Sequence, residues 1–394
     1  MGIVRRRFCG VAAASLAIGL TGIASPRAGL AAKHPSKKKP AVPKGATAAK
    51  ARSVVVDYAK RIDVLDYIDE LVAHEGFSRD ALIRLFADVR YSETAARLMM
   101  PAAVRVKRDW NAYRARFVEP VRLGSGFRFW DDNAALLERA ERDFGVPPEI
   151  VVGILGVETV YGRNTGSFRV IDALTTLAFD YPNKERDRSP FFRAQLTDAL
   201  ILTRNQARGV TALRGSYAGA IGMPQFMPGS ILRYAIDYDG DGRIDLAGSP
   251  ADIIGSVANF LARHGWVRGL ATHVPLTRAQ FLDPLQAASI DSMVNAGSVP
   301  SLAYADLVSA GLVATRPPDA PFALIDLPMG SNAGSDAAGN AIVGYLAGTQ
   351  NFHVITRYNR SYFYAYSVIE LGGTIKALRE ARGGQHPSPS QPPP

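Results

Sequence analysis

Apolar residues recur at spacings of three and four through residues 54–116, as at Val64, Ile68 and Leu71. This spacing places apolar side chains on one face of a helix, so it predicts a series of amphipathic helices. The same pattern predicts further helices over 133–144, 172–179, 191–208, 230–235, 253–264 and 361–382.

The segment 146–162 differs from these helices because nearly every residue in it is apolar or small. Two prolines and an acid near its start are typical of a first helical turn, and Gly162 can end the helix. We therefore predict a helix that runs to about Tyr161. Its last turn contains a glutamate, Glu158.

Glu158 shares the apolar face of this predicted helix with Val151, Ile154, Leu155 and Tyr161. An unpaired buried charge is costly, so the carboxyl must find a partner, become protonated or line a cleft. Apolar surroundings and the negative end of the helix dipole both raise its pKa, as a general acid near neutral pH requires. A core glutamate paired with Arg163 or Arg169 remains the alternative.

The pattern changes between about residues 276 and 350, where Pro, Gly and Ala are frequent and the apolar runs are short. Three of these runs, one of them just beyond residue 350, are candidate strands: 322–327, 341–346 and 352–356. We therefore predict a mainly α (α+β) chain with a small β-rich subdomain.

The formal charge of +10 over 394 residues could indicate a nucleic-acid-binding protein, but its distribution argues against that class. Eleven of the 46 Lys and Arg residues lie in residues 1–52, which contain no acid. The rest of the chain holds 35 basic and 36 acidic residues, so it has no overall basic excess. We therefore predict that the folded part binds no nucleic acid.

Both chain ends have a composition unlike that of the folded part. Residues 1–32 combine three arginines, an apolar run and small residues, which indicates a signal peptide and export to the periplasm. An uncleaved membrane anchor is the alternative, although a run of about 17 residues is short for a span. Residues 33–52 form a basic Pro/Lys/Ala linker, and 383–394 a disordered tail. The only cysteine, Cys9, follows no lipoprotein-type sequence.

An acidic loop beginning at Asp237 has acids at positions 1, 3, 5 and 9, glycine at 6 and an apolar residue at 8. This is the EF-hand pattern for a hard cation, except that Gly248 replaces the glutamate of position 12. The predicted ligands of a structural Ca²⁺ are Asp237, Asp239, Asp241 and the carbonyl of Arg243. A turn without a cation is the alternative. No organic cofactor is indicated.

Six motifs occur in order within residues 55–380: Gly156-Val-Glu-Thr-x-Tyr-Gly162, Asp180-Tyr-Pro182, Gly215-Ser-Tyr-Ala-Gly-Ala-Ile-Gly-x-x-Gln-Phe-Met-Pro228, Ile254-Gly-Ser-Val-Ala-Asn259, His264-Gly-Trp266 and Ile355-Thr-Arg-Tyr-Asn359. Together they resemble the lytic murein transglycosylase B family. That resemblance implies a lysozyme-like helical core with added helices and a small β domain. The expected regions are 53–130, N-terminal helices; 131–275, catalytic core with the EF-hand-like loop 237–252; 276–350, β-rich subdomain; and 351–382, a C-terminal strand and helix.

The resemblance also implies a reaction that cleaves the β-1,4 bond between N-acetylmuramic acid and N-acetylglucosamine of peptidoglycan without water. Glu158 matches the single glutamate that acts first as acid and then as base, which closes a 1,6-anhydro ring. An ordinary glycosidase needs two carboxylates, and Asp172 or Asp180 is a candidate for the second. The alternatives are therefore a hydrolytic muramidase and a non-catalytic wall-binding protein.

Further site residues are implied by the same resemblance. Ser216 and Gln225 would line the sugar subsites, with Ser216 also orienting the glutamate, and Asn359 would hold the acid or the sugar. The remaining matches are Tyr113, Tyr358 and Tyr364 in the cleft, and Asp252 as a cation ligand. Only Arg188 aligns with a pair of arginines that, in the family, suits anionic peptide or lactyl carboxylates, so Arg188 is an expected substrate-binding residue. Expected partners are glycan strands and other cell-wall enzymes, for a monomeric protein.

Overall fold

The computed structural model describes residues 56–101, 107–206, 209–278, 284–330, 333–334 and 342–383. The predicted signal peptide 1–32, the linker 33–52 and the tail beyond residue 383 lie outside these residues. Within the described chain, no helix combines the length and the apolar composition needed to cross a membrane.

Helices make up most of the described chain. In order they are α1 (Ile62–Glu75), α2 (Arg79–Ala87), α3 (Glu93–Met99), α4 (Trp110–Arg114), α5 (Pro120–Asp132), α6 (Ala134–Phe144), α7 (Pro148–Thr159), α8 (Val170–Phe179), α9 (Ser189–Asn205), α10 (Pro228–Tyr234), α11 (Pro250–Arg263), α12 (Pro284–Asn295), α13 (Tyr304–Ser309), α14 (Gln350–Tyr358) and α15 (Tyr362–Gly383). Short 3-10 turns lie at Tyr58–Lys60, Lys184–Arg186 and Val210–Ala212. The predicted helical class is confirmed.

Two small antiparallel sheets accompany the helices. Strand β1 (Phe168–Arg169) pairs with β2 (Arg214–Gly215). The larger sheet contains β3 (His273–Arg278), β4 (Leu312–Val313), β5 (Ala323–Pro328) and β6 (Val343–Gly348) in the order β4-β3-β6-β5. Strands β5 and β6 correspond to the strand candidates 322–327 and 341–346, although residue 341 itself lies outside the described chain. The helices α12 and α13 within this region were not predicted.

The strand predicted over 352–356 is wrong, because these residues belong to helix α14. The predicted C-terminal strand and helix are therefore two helices. Thr349 caps α14 by accepting a hydrogen bond from the amide of Asn351 at 3.1 Å. The buried side chain of Asn351 also donates to the carbonyls of Val267 and Leu270, at 2.7 Å each. The sequence of residues 352–356 does not reveal the contacts of Thr349 and Asn351, and a run of five apolar-rich residues is compatible with a strand or with part of a helix.

The buried apolar residues form three clusters. The first contains α7 at its centre and includes residues of α6, α11, α14 and α15. The second joins α1 and α2 to α8 and α9. The third lies between the larger sheet and helices α12 and α13. The helices before residue 130 thus contribute to more than one cluster.

Helices α7 and α15 approach each other unusually closely. A Cβ atom on Gly153 of α7 would overlap the backbone carbonyl of Val368 on α15. One on Gly372 of α15 would in turn overlap the carbonyl of Glu149 on α7. Glycine at these two positions therefore lets the backbones come into contact, and this fixes α15 beside the whole length of α7.

Candidate active site

Helix α7 ends two residues earlier than predicted, at Thr159. The next residues, Val160 and Tyr161, have left-handed backbone angles, with φ of 53° and 54°. The amides of both turn back to the helix, where Tyr161 donates to the carbonyl of Leu155 at 3.2 Å. These bonds satisfy carbonyls that a helix end leaves unpaired. Glu158 is consequently the penultimate residue of the helix.

The Glu158 carboxylate accepts a hydrogen bond from the hydroxyl of Tyr364 on α15, with an O···O distance of 2.6 Å. The glutamate side chain keeps some surface open to solvent, but the protein packed around its carboxyl desolvates it. This burial raises the pKa of Glu158 to about 7, and the bond from Tyr364 acts in the opposite direction. The raised pKa that the sequence predicts agrees with this environment.

The alternative of a core glutamate paired with an arginine does not agree with the structure. Arg169 instead donates to the carboxylate of Asp88 at 2.6 Å. Arg163 is exposed on the surface. Burial and the Tyr364 bond account for the pKa shift of Glu158. Glu158 is therefore held by a neutral hydroxyl.

Tyrosines surround the carboxyl, as the family resemblance implies. The ring of Tyr364 stacks on that of Tyr358, with centroids 6.4 Å apart and planes 14° from parallel. The Tyr358 hydroxyl donates to the carbonyl of Pro224 at 2.6 Å, which joins α14 to the Gly-rich loop 215–229. Burial raises the pKa of Tyr113, Tyr358 and Tyr364, and the charge of Glu158 raises each further. All three phenols therefore lie within electrostatic reach of the glutamate.

The Gly-rich loop is held in shape by its own polar side chains. The Ser216 hydroxyl accepts hydrogen bonds from the amides of Ala218 and Ala220, at 3.3 and 3.0 Å. The side-chain nitrogen of Gln225 donates to the carbonyls of Thr165 and Gly222, at 3.0 and 2.9 Å. Gln225 also has a left-handed φ of 52°. These bonds preorganise the loop, while contacts of either residue with a sugar remain predictions.

Thr159, which the sequence analysis did not identify, links this loop to helix α7. The buried Thr159 hydroxyl donates to the carbonyl of Met223 at 2.9 Å. The amide of Met223 donates in turn to the carbonyl of Leu246, in the acidic loop, at 2.8 Å. A hydroxyl in the last turn of an apolar helix was the available signal, but such groups commonly bond back within their own helix.

Asn359 and Arg188 occupy different surroundings. Asn359 directly follows α14 and is buried, and its side-chain oxygen has no hydrogen-bond partner among the described residues. The guanidinium of Arg188 lies over the rings of Phe191 and Phe192, 4.8 and 5.7 Å from their centroids. Phe192 belongs to the second hydrophobic cluster. The predicted role of Arg188 toward the glycan therefore has no support from these ring contacts.

The two candidates for a second carboxylate are both engaged with N-terminal segments. Asp180 binds Arg61 at 2.7 Å and accepts the Tyr58 hydroxyl at 2.7 Å. Asp172 accepts the amide of Arg90 at 3.1 Å. These contacts connect α8 and the residue that follows it to the segments around α1 and α3.

The acidic loop brings three of the predicted cation ligands together. Carboxylate oxygens of Asp237, Asp239 and Asp252 all lie within 4.8 Å of one another. Asp252 is buried, and its two oxygens accept the amides of Tyr238 and Asp245, at 2.7 Å each. Converging carboxylate oxygens suit a hard cation such as Ca²⁺.

Asp241 and Arg243 form a contact with each other within this loop. The carboxylate of Asp241 accepts the Arg243 amide at 2.8 Å and is not part of the converging group. Three of the five predicted ligands therefore converge in the described geometry, and the predicted ligand atom of Arg243, its carbonyl, takes no part in the contact with Asp241.

Comparison with known proteins gives consistent matches over most of the chain. The family described as Transglycosylase SLT domain matches residues 61–373. Membrane-bound lytic murein transglycosylase B of Escherichia coli K12 is 35% identical over 333 residues, which cover 82% of this chain and 85% of that protein.

Solved structures of similar proteins agree with the fold. Soluble lytic transglycosylase SltB1 from Pseudomonas aeruginosa is 40% identical, with a TM-score of 0.70 and coverage of 81% of this chain and 99% of that one. Escherichia coli lytic transglycosylase Slt35 in complex with calcium is 34% identical, with a TM-score of 0.69 and coverage of 82% and 96%. The predicted lysozyme-like fold is thereby confirmed.

Glu158→Gln is expected to make the folded chain more stable at alkaline pH, since glutamine keeps an acceptor for Tyr364 and cannot ionise. A folded pKa of about 7 against the ordinary 4.5 means that ionisation opposes folding increasingly as pH rises between these values. The gain in free energy of unfolding should reach at most about 3 kcal/mol above pH 7 and vanish near pH 4.

Urea unfolding of both proteins at pH 4, 6 and 8 measures this gain. Glu138→Gln, at an exposed position of α6, is the control and should show no comparable pH dependence. A stability difference that is the same at all three pH values would contradict the buried, raised-pKa carboxyl.

Proposed function

The chain belongs to the transglycosylase SLT domain family and is a lytic transglycosylase that cleaves peptidoglycan, and we propose that Glu158 is its single catalytic acid and base. The observation that carries this proposal is the desolvated carboxyl at the end of α7, with a pKa raised to about 7 and a 2.6 Å bond from Tyr364. A group with this pKa is available in both protonation states near neutral pH, as one residue with two roles requires.

In the first step protonated Glu158 donates its proton to the glycosidic oxygen between N-acetylmuramic acid and N-acetylglucosamine. The bond from that oxygen to the muramic C1 breaks, and N-acetylglucosamine leaves with the proton. Positive charge develops at C1, and the new carboxylate of Glu158 stabilises it. The Tyr364 hydroxyl supports this stage, because its hydrogen bond favours the ionised form of the glutamate.

In the second step the Glu158 carboxylate takes the proton of the muramic C6 hydroxyl. The C6 oxygen attacks C1 and closes the 1,6-anhydro ring, and Glu158 is protonated again for the next cycle. No water is consumed, so one carboxyl suffices where hydrolysis needs a second to activate water. The engagement of Asp172 and Asp180 with N-terminal segments favours this one-acid scheme over a muramidase.

The groups around the acid would position the glycan. Asn359 is suited to accept a hydrogen bond from the substrate, since its buried side-chain oxygen has no partner among the described residues. Ser216 and Gln225 would present the preorganised loop to the sugar, and Tyr113 and Tyr358 would supply phenol groups at the cleft wall. Arg188 would meet anionic substituents of the strand.

Peptidoglycan digestion tests the acid–base role directly. The native protein should release muropeptides that end in 1,6-anhydro-N-acetylmuramic acid, and Glu158→Gln should lower the rate by about 10²–10⁴-fold because it cannot donate the proton. Mass spectrometry of the soluble products separates anhydro ends from reducing ends.

Glu138→Gln provides the matched control and should release the same products at the native rate. Products that carry only reducing ends would support the muramidase alternative. Unchanged activity of Glu158→Gln would support a different catalytic group, and a native protein without activity would support a wall-binding role.

We also propose that the acidic loop binds a structural Ca²⁺ through Asp237, Asp239 and Asp252. The cation would neutralise three carboxylates that converge within 4.8 Å, and so would fix the loop between α10 and α11. It would take no part in the chemistry. Asp241 and the carbonyl of Arg243 would complete the predicted ligand set, since the contact between these residues uses the Arg243 amide and leaves its carbonyl available.

Ca²⁺ at 100 times its dissociation constant should stabilise the native chain by about 2.7 kcal/mol, and this gain should disappear in Asp237→Ala. Thermal unfolding of the chelator-treated protein with and without added Ca²⁺ measures it. Asp132→Ala, on the exposed surface of α5, should keep the native response. A native protein that gains no stability from Ca²⁺ would rule out the site.

We propose export to the periplasm by residues 1–32, because the substrate lies outside the cytoplasmic membrane. The soluble form and the uncleaved anchor differ in their mature N-terminus. N-terminal sequencing of the cell-derived protein should find a start close to residue 33, and a chain beginning at Met1 would support the anchor.

A further inference from the structure

The turn that follows the catalytic helix has a backbone that other parts of the molecule must hold. Val160 and Tyr161 are consecutive non-glycine residues in the left-handed region, and valine is branched at Cβ, which makes this conformation unfavourable. Such a backbone conformation is kept only where contacts with the surrounding structure enforce it. The turn begins two residues after Glu158, so its shape decides where the last turn of α7 points.

The side chain of Tyr161 supplies contacts of this kind. Its ring folds back across the helix pair α5 and α7 and stacks on Phe129, with centroids 5.3 Å apart. The phenol oxygen lies against Gly126 of α5 and Gly156 of α7, so closely that a Cβ atom on either glycine would overlap it. The two glycines therefore form a slot for the Tyr161 ring. Any larger residue at either glycine position would overlap the ring.

A hydrogen bond from α5 reaches the same turn of the helix. The Arg122 side chain donates through Nε to the carbonyl of Gly156 at 3.1 Å. The amide of Tyr161 donates to the preceding carbonyl, that of Leu155, at 3.2 Å. The turn that carries Glu158 is thus held by a ring in a slot, by one hydrogen bond from α5 and by the returning amide of Tyr161.

The hydroxyl of Tyr161 does not hold the turn through a hydrogen bond. It is buried and has no partner among the described residues, and an unpaired buried hydroxyl is unfavourable. The ring itself, seated between two glycines, is therefore the part of the side chain that holds the turn.

We propose that Tyr161 is a positioning residue for the acid, acting through the slot of Gly126 and Gly156. The seated ring holds the left-handed turn, and the turn directs the Glu158 carboxyl toward Tyr364. This inference rests on the proposed role of Glu158. A displacement of the acid by about 1 Å would slow the reaction about 100-fold without changing how the distant parts of the glycan bind.

The test is Gly126→Ala, which changes neither Glu158 nor Tyr161 and lies 32 residues from the acid. The added methyl would displace the phenol and also the flexible end of the Ile375 side chain. Because the phenol moves, kcat should fall at least 10-fold while KM stays within about twofold. Gly124→Ala is the matched control on the same helix, because a Cβ there would meet only the end of Arg128 at 4.0 Å. It should keep the native kcat. Both are assayed well below their unfolding temperatures, with the folded fraction measured by circular dichroism.

Rescue separates positioning from a general packing defect. Tyr161→Phe alone should keep activity, since it removes the unpaired hydroxyl and leaves the ring. Combined with Gly126→Ala it should recover part of the lost kcat, because the phenol oxygen is gone while ring carbon Cζ remains 2.8 Å from the new methyl. If Gly126→Ala does not fold, Tyr161→Leu, which leaves the slot without a ring, should show the same selective loss of kcat.

Native kcat in Gly126→Ala, or in Tyr161→Leu where that variant is used, would overturn the inference. So would a double variant no more active than Gly126→Ala. Glu158→Gln is assayed in parallel, and its full activity would overturn the proposed acid instead. An inactive Glu158→Gln beside a fully active Gly126→Ala would remove only the role of Tyr161.

Discussion

The protonation balance of one carboxyl is the constraint on which the rest of this structure depends. Burial in the apolar surroundings of α7 raises the pKa of Glu158, and the Tyr364 hydroxyl acts against that shift. Both contributions require α15 to lie directly on α7. The backbone approaches at Gly153 and Gly372 make this possible, since a side chain at either position would separate the helices. The packing of α15 against α7 thereby sets the pKa of Glu158.

The surrounding loops are tied to the same helix end. Thr159, next to the acid, binds the Gly-rich loop through Met223, and Met223 binds the acidic loop through Leu246. A continuous set of hydrogen bonds therefore runs from the converging carboxylates near Asp252 to the end of α7, since the Asp245 amide donates to Asp252. A cation in the acidic loop would therefore stabilise the hydrogen bonds that hold the Gly-rich loop against the end of α7.

Local signals in the sequence predicted the acid and the helices other than α12, α13 and α14. Apolar spacing marked the helices, and a glutamate within an apolar run marked Glu158. The partner of that glutamate left no such signal, because Tyr364 lies 206 residues away and was expected only from a family resemblance. The end of α7 was misjudged for a related reason. Gly162 looked like the stop, but ring packing and returning amides permit left-handed angles at Val160 and Tyr161.

The same distinction between local and distant information applies to the acids. Asp172 and Asp180 follow α7 closely in sequence, and nothing local separates a catalytic carboxylate from a structural one. Contacts across about 80 to 120 residues make the difference, since both acids bind residues of the N-terminal segments. Asp180 forms an ion pair with Arg61 at 2.7 Å and Asp172 forms one with Arg169 at 3.5 Å, so each of these carboxylates has a cationic partner. In this chain the carboxyl of Glu158 is desolvated, whereas Asp172 and Asp180 bind the N-terminal segments. This arrangement suits a reaction in which the substrate's own hydroxyl is the nucleophile.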